Sequence, residues 1–431
     1  MAYYDPLTKL PNRAQSLEQL DLAVERAQLQ QGQFAVLFVD FDNFKLINDS
    51  YGHATGDEFL CHITQRLNST VREGDFLGRI GGDEFLLLVR ELADGQTLDG
   101  ILLRLFTVLH QPVKLQNTQL QVTMSIGVAR YPHDGRCGSE LLKAADTAMY
   151  AAKAQGKNKA HYYSLQISAD QQKRMQIEQG LRNAIALNEF SLAYQPQVDS
   201  HNGQLLLMEA LLRWNPVTGS MPPDLFIPVA EECGLMTQIG QWVLREAARQ
   251  SKAWEEQGLG QWVVAVNVAN QELQTCDYAK HALAILAEVG LPASRIELEV
   301  RESVFNNRAE HVRGQLQALH RQGMKLTVDD FGSDTSSLRI LREVGVGKLK
   351  INRCFVATLH GEAHDPVMTQ AIVNLAHNLD MRSLAAGVEL REDVVFLQHI
   401  GCDGLQGYLL TRPLKSADMT QLLHNQRNLL P

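Results

Sequence analysis

The chain has 431 residues, of which 45% are apolar and 21% charged, the balance of a folded protein and not of a disordered one. At about 100–200 residues per domain, that length suggests two to four domains. The 40 Lys and Arg against 49 Asp and Glu give a net charge of −9, which argues against a nucleic-acid partner, because phosphate attraction drives nonspecific nucleic-acid binding.

A small phosphorylated ligand remains compatible, since it needs only a local cationic pocket. No apolar run approaches the ~20 residues needed to span a bilayer. The N-terminal MAYYDPLTKLPNR is polar and is no signal peptide. It begins abruptly in turn chemistry at Asp5-Pro6 and Pro11-Asn12. We therefore expect an upstream sensor domain outside this sequence. The expected location is cytoplasmic, either as a free protein or as the cytoplasmic part of a membrane-anchored one. The cysteines at 61, 137, 233, 276, 354 and 402 form no CxxC pair and read as reduced thiols.

In chain order, FAVLFVDFD (34–42) reads as a buried strand, and GDEFLCHITQRLNSTV (56–71) has helical spacing through Phe59, Ile63 and Leu67. FLGRI, the Gly81-Gly82 turn and EFLLLVREL read as a β-hairpin. TLDGILLRLFTVLHQ reads as a helix, QVTMSIGVAR as a strand, and SELLKAADTAMYAAKAQG as a helix with Ser139 as N-cap and Gly156 as stop. This mixture predicts an α/β sandwich of ferredoxin-like type over residues 1–163. Residues 164–188 are polar and read as a stiff helical linker.

Residues 189–431 repeat a short apolar run ending in a polar residue, followed by a helical stretch. The runs end at Glu209, Asn267, Glu299, Asp329-Asp330, Lys350, Ala386 and Gln406. Active sites of (β/α)8 barrels gather at the C-terminal ends of the strands. The pattern therefore predicts a TIM-type barrel whose mouth carries carboxylates, an amide and a lysine.

In the first half, Asp40 and Asp42 flank a strand end, and Asp83-Glu84 follow the hairpin glycines. If those strands are neighbours, Asp40 meets Asp83 and Glu84, and hard oxygen ligands at strand tips suit Mg²⁺ working with substrate phosphates. Lys45 is placed to meet a phosphate, and Asn48 and Asp57 to read a base edge. Arg79-Ile80-Gly81-Gly82-Asp83-Glu84-Phe85 resembles the signature of the GGDEF domain, whose members make cyclic di-GMP from two GTP molecules. DPLTKLPNR, VDFDNFKLINDSYGHATGD, TMSIGVA and ADTAMYAAKAQGKN fall in family order.

The resemblance implies that Asp40, Asp83 and Glu84 hold two Mg²⁺ (or Mn²⁺) and that Asp83 or Glu84 helps deprotonate the 3′-hydroxyl. It also implies that Asn48 and Asp57 bind guanine and that Lys45, Lys153 and Lys157 contact phosphates. Arg72 and Asp75 match the family's RxxD inhibitory site. Turnover would need two such domains face to face, hence a homodimer.

Glu209-Ala210-Leu211-Leu212-Arg213-Trp214 resembles the EAL domain, a cyclic di-GMP phosphodiesterase barrel. YQPQV, FIPVAEECGLM, IELEV, DDFG, LKIN and QGYLLTRP sit in family order. The resemblance implies that Glu209, Asn267, Glu299 and Asp329 hold one metal and Asp330 a second. Lys350 would orient the attacking water, Arg213 would hold a phosphate, and Gln406 would lie beside the centre.

The departures are Ala386 for a glutamate, Asp334 and Thr335 in the DDFG loop, Arg301 for Thr, Asn352 for Asp and Ala269 for Ser. A weakened second-metal site implies an EAL half that binds cyclic di-GMP and hydrolyses it poorly. The alternatives are a phosphodiesterase regulated by GTP binding to the GGDEF half, and a non-catalytic receptor. His360 and His364 have helical zinc spacing, but Gly361 and Pro366 and the lack of an HExxH order argue against a zinc site.

Overall fold

The computed structural model describes residues 3–90, 98–115, 118–275, 277–306, 310–332, 338–357, 366–425 and 428–430. Asp334, Thr335 and the pair His360/His364 lie outside these residues. The chain divides into two compact units, 1–175 and 176–431. None of the described helices is long and apolar enough to cross a membrane.

The first unit is built on a five-stranded sheet. Its order is Phe76–Gly81, Glu84–Arg90, Phe34–Phe41, Met124–Tyr131 and Ala160–Tyr162. The 34–41 strand is antiparallel to both of its neighbours. All eight of its residues are buried, because alternate side chains enter two different cores. Ala35, Leu37, Val39 and Phe41 pack with helices Phe44–Tyr51, His53–Thr70 and Leu98–Leu109. Phe34, Val36 and Phe38 pack against helices Arg13–Gln30 and Gly138–Ala154.

With helices on both faces, the period-two signal of a half-buried strand vanishes and a continuous apolar run remains. The 138–154 helix lies so close to the sheet that a Cβ on Gly127 would stand 1.8 Å from the Ala145 carbonyl oxygen. The N-cap of that helix is Cys137, not Ser139. The Glu140 carboxylate reaches back to the Arg136 N–H at 2.8 Å, so Ser139 sits inside the first turn.

In the second unit eight strands close a barrel: Phe190–Asp199, Leu205–Trp214, Val264–Val268, Ile296–Arg301, Lys325–Phe331, Lys348–Ile351, Arg382–Ala386 and Gly404–Gln406. It differs from an all-parallel barrel at one place. The 190–199 strand is antiparallel to both the 205–214 and 404–406 strands. Residues 200–203 form a tight turn, Gly203 N–H bonding the Asp199 carbonyl at 3.0 Å, which leaves no length for the helical crossover a parallel pair requires.

Several strands also continue past the polar residue where their apolar run stops. Glu209, Asn267, Glu299 and Asp329 lie inside strands, not at their ends. Helix Leu165–Ala184 spans the boundary between the units. Its second half is not merely a solvated linker, because Ile177, Leu181 and Ala184 join the barrel core.

Candidate functional site

Two polar clusters stand out, one in each unit. In the first unit, strand pairing sets Asp40 directly opposite Glu84, with Asp83 in the adjoining turn. Lys153, from the 138–154 helix, places its Nζ 2.6 Å from Asp40 Oδ1. Burial pushes the Asp40 carboxyl up to about 6, with Asp83 and Glu84 adding to the rise and Lys153 opposing it. Asp83 and Glu84 are also raised, chiefly by burial, and Glu84 further by Asp146 and Asp83. Lys153 acts on all three carboxylates, with Arg79 also acting on Asp83 and Arg13 on Glu84, yet all three carboxyls stay raised. An oxygen-donor set of this kind fits hard divalent cations.

Asp42 does not join this cluster. Its Oδ1 accepts from Ser125 Oγ at 2.7 Å, and its Oδ2 accepts from Thr123 Oγ1 at 2.7 Å and from the Asn158 N–H at 3.1 Å. It anchors the turn after the 138–154 helix, where Lys157 and Asn158 both take positive φ. Lys157 donates to Asn43 Oδ1 at 2.7 Å and stays away from the carboxylates.

Asn48 lies against Gly56, whose added Cβ would stand 2.0 Å from Asn48 Oδ1. That brings Asn48 beside the start of the turn carrying exposed Asp57. Lys45 is exposed on the 44–51 helix. Arg72 is exposed, while Asp75 accepts the Arg90 N–H at 3.0 Å.

In the barrel, inward-facing side chains meet at Lys350. Its Nζ lies 2.8 Å from Glu209 Oε2, 2.5 Å from Glu299 Oε2 and 3.5 Å from Asp329 Oδ1. Glu209 also accepts from Asn267 Nδ2 at 2.6 Å and Gln406 Nε2 at 2.7 Å. Burial raises the Glu209 carboxyl, but Lys350, Gln406 and Asn267 together bring it below the usual range. Glu299 goes the other way, pushed up to about 8 by burial and the neighbouring Glu209 charge. Burial works against the Lys350 ammonium, but Asp329, Glu209 and Glu299 override it and hold the pKa well above the ordinary value.

Among the described residues no three His, Cys, Asp or Glu side chains already converge on a metal-sized point. The Lys350 ammonium sits between them instead. The donor set of carboxylates plus one amide nevertheless fits a hard cation, and its charge exceeds what a single lysine neutralises.

Asp330 faces a different environment. Asn352 Nδ2 donates to Asp330 Oδ1 at 2.9 Å. Asp330, Asp329, Lys350, Arg353, Ala386, Glu389 and Gln406 share the lining of a pocket of about 260 Å³. Ala386 is paired in register with Gln406, so a methyl group stands where this rim could carry an oxygen donor. Arg213 is half-buried, its Nη1 donating to the Leu212 carbonyl at 2.9 Å, and is not part of that lining.

The EAL domain profile matches residues 178–413, and the profile described as "Diguanylate cyclase, GGDEF domain" matches residues 2–159. The chain is a GGDEF–EAL protein.

It is 38% identical over 422 residues, 97% of its length, to the bifunctional diguanylate cyclase/cyclic di-GMP phosphodiesterase MucR of Pseudomonas aeruginosa. It is 35% identical over 428 residues, 99% of its length, to the cyclic di-GMP phosphodiesterase NbdA of the same organism. The chain spans only 61% and 54% of those two relatives. Among solved structures, the PaMucR phosphodiesterase in its c-di-GMP complex matches with a TM-score of 0.55 and 36% identity, covering 57% of this chain and 99% of that one. Vibrio cholerae LapD, S helix-GGDEF-EAL, shares the fold at 20% identity and a TM-score of 0.55, covering 94% of this chain and 96% of its own.

The EAL barrel also holds polar residues that sequence reasoning passed over. Gln195 accepts from Gln406 Nε2 at 3.2 Å, and Gln197 donates to Glu299 Oε1 at 2.9 Å. The signal was present in YQPQV, two glutamines two apart in an otherwise apolar strand, hence on one face. Glu302 is buried and accepts the Gly332 N–H at 2.9 Å, tying down the start of the DDFG loop. Arg353 and Tyr408 line the pocket beside Asp330, and nothing in their spacing had marked them.

Proposed function

We propose that this is a cyclic di-GMP signalling protein whose GGDEF half condenses two GTP molecules and whose EAL half binds the product and hydrolyses it slowly. The observation that carries the first part is the pairing of Asp40 with Glu84 beside Asp83, where two interior strands of the sheet end. There Asp40, Asp83 and Glu84 would hold divalent cations, Mg²⁺ or Mn²⁺. Asp83 or Glu84, both raised toward protonation by burial, would accept the 3′-hydroxyl proton. Lys45, Lys153 and Lys157 would take phosphates, and Asn48 and Asp57 the guanine edge. Arg72 and Asp75 would form a product-binding inhibitory site. When bound, the cations would supply charge neutralisation at the transferring phosphoryl group.

In the EAL half, Glu209, Asn267, Glu299 and Asp329 would hold one cation. Lys350 would steady the attacking water, with Gln406 beside it and Arg213 on a phosphate. Ala386 and Asn352 place a methyl group and a neutral amide on the rim beside Asp330, which is the reason to expect slow hydrolysis. We take the working form to be a cytoplasmic homodimer, with GTP and cyclic di-GMP as ligands and a sensor domain upstream. We place the boundaries at 1–163, 164–188 and 189–431.

A second reading is a phosphodiesterase regulated by GTP at the GGDEF half. The intact set Glu209, Glu299, Asp329 and Lys350 favours it, as does the likeness to the phosphodiesterases MucR and NbdA. One experiment separates the two readings. The chain is incubated with GTP and Mg²⁺, and separately with cyclic di-GMP, and the products are resolved by chromatography. Cyclic product from GTP with little linear dinucleotide from cyclic di-GMP supports the first reading. The reverse supports the second. Binding without either product would leave only a receptor.

A further inference from the structure

Beneath the Glu209–Glu299–Lys350 group lies a second buried polar layer that no role assigned so far uses. Gln197 is fully buried and makes three side-chain hydrogen bonds. Its Nε2 donates to Glu299 Oε1 at 2.9 Å and to Gln406 Oε1 at 3.3 Å, while its Oε1 accepts from Lys348 Nζ at 3.0 Å. Lys348 is held in turn by Glu297 Oε1 at 2.6 Å, and that oxygen also accepts from Thr327 Oγ1 at 2.8 Å. The chain of bonds therefore runs Thr327 to Glu297, Lys348 to Glu297 and Gln197, and Gln197 to Glu299.

Each link fixes the next. An ammonium only donates and a carboxylate only accepts. Lys348 therefore forces the Gln197 amide to turn its oxygen downward and its N–H₂ upward. The N–H₂ then takes one oxygen of Glu299 and leaves the other, Oε2, facing Lys350 at 2.5 Å. A flipped amide would set its carbonyl against a buried carboxylate and its N–H₂ against the Lys348 ammonium, at the cost of an unmade hydrogen bond on each side. Strand register supports the arrangement: Glu297 and Glu299 share the inward face of one strand, and Lys348 and Lys350 that of another.

We infer that Gln197 and Lys348 are positioning residues, acting through one oriented amide to aim the Glu299 carboxylate at the cation that the barrel holds. The inference rests on the reading of Glu299 as a cation ligand. Groups that orient a metal ligand from behind typically change metal affinity by 10–100-fold when removed. Gln197→Met removes the amide at similar length. The double variant Glu297→Gln/Lys348→Gln keeps a hydrogen-bonded pair below Gln197 but no longer dictates which way its amide turns.

The test is Mn²⁺ binding to the full chain without nucleotide, followed by electron paramagnetic resonance, with Glu209→Gln as the blank for the barrel site. Unfolding of the barrel is followed in parallel by tryptophan fluorescence. We expect Gln197→Met to weaken the barrel's Mn²⁺ affinity about tenfold or more and the neutral pair to weaken it several-fold. Combining the two changes should cost no more affinity than Gln197→Met alone, because Lys348 acts through Gln197. A purely structural layer would lower the melting temperature and leave Mn²⁺ affinity where it was; that result overturns the inference. Should Gln197→Met fail to fold, unchanged affinity in the neutral pair overturns it equally. If the unaltered chain binds no more Mn²⁺ than Glu209→Gln, the cation reading of the barrel fails first and the inference falls with it.

Discussion

Replacing Lys350 by Met removes the only cation within 4 Å of Glu209 and Glu299 among the described residues. Side-chain exposure is 6% for Lys350, 6% for Glu209 and 0% for Glu299, so solvent screens these charges little. Breaking a buried ion pair from one side typically costs about 3–5 kcal/mol, because a buried charge is left unpaired. For a unit of this size, 1 kcal/mol corresponds to about 2–4 °C in melting temperature. In metal-free buffer, the Lys350→Met barrel should therefore melt roughly 6–20 °C below the parent chain.

The signal is selective, since all four tryptophans, Trp214, Trp242, Trp254 and Trp262, belong to the second unit. Adding Mn²⁺ should recover more stability in the variant than it adds to the parent. Two carboxylates without their lysine form a more acidic cation site, and a ligand of the folded state stabilises by mass action. A metal-free variant melting within about 2 °C of the parent would refute this account of the site, in which one ammonium compensates two buried carboxylates.

Asp40 gives a pH test in the first unit. Its carboxyl is raised to about 6 from an ordinary 3.8, so the folded state holds the proton more tightly than the unfolded chain. Stability without metal or nucleotide should fall as pH rises from about 4 to about 6, by at most about 3 kcal/mol. Asp40→Asn should flatten that step and be the more stable protein at pH 7.5, as read by calorimetry of the transition that tryptophan fluorescence does not follow. Asp42→Ala should remove the anchor of the 156–158 turn and destabilise the first unit by about 3 kcal/mol. Faster amide exchange at Asn158 would check it, and unchanged exchange would count against the anchor. Ala386→Glu alone should raise hydrolysis of cyclic di-GMP without restoring it fully, because Asn352 still faces Asp330 at 2.9 Å. Complete recovery in a product assay would show that the alanine is the whole defect.

Apolar runs revealed most of the first unit because its sheet is covered on both faces. The same rule misplaced strand ends in the barrel. There the inward face buries Gln195, Gln197, Glu209, Glu297, Glu299 and Lys350, so a polar residue does not mark the end of a strand. The 190–199 strand escaped the count of repeats for the same reason, since its glutamines interrupt the run. Ser139 was a reasonable cap by type and lost to the Glu140 side chain, a competition that composition does not decide.

Asp40 and Asp42 show where sequence reading stops. They are the same residue type, two apart where one strand ends, and although the family resemblance gives a metal to Asp40 alone, residue type offers no physical reason for the difference. What separates them comes from distant chain. Lys153, Asp83 and Glu84 gather around Asp40, and Thr123, Ser125 and Asn158 satisfy Asp42. A carboxylate that already accepts three hydrogen bonds is satisfied where it stands and acts as a strut. One pressed against other carboxylates, with a lysine as its only counter-charge among the described residues, is destabilised until a cation arrives. The same distinction divides the barrel: Glu297 is closed off by Lys348 and Thr327, whereas Glu299, raised by burial and by Glu209 despite Lys350, keeps an unmet demand for positive charge. Function in both halves is therefore to be sought where compensation is incomplete, and that follows from the fold's long-range contacts.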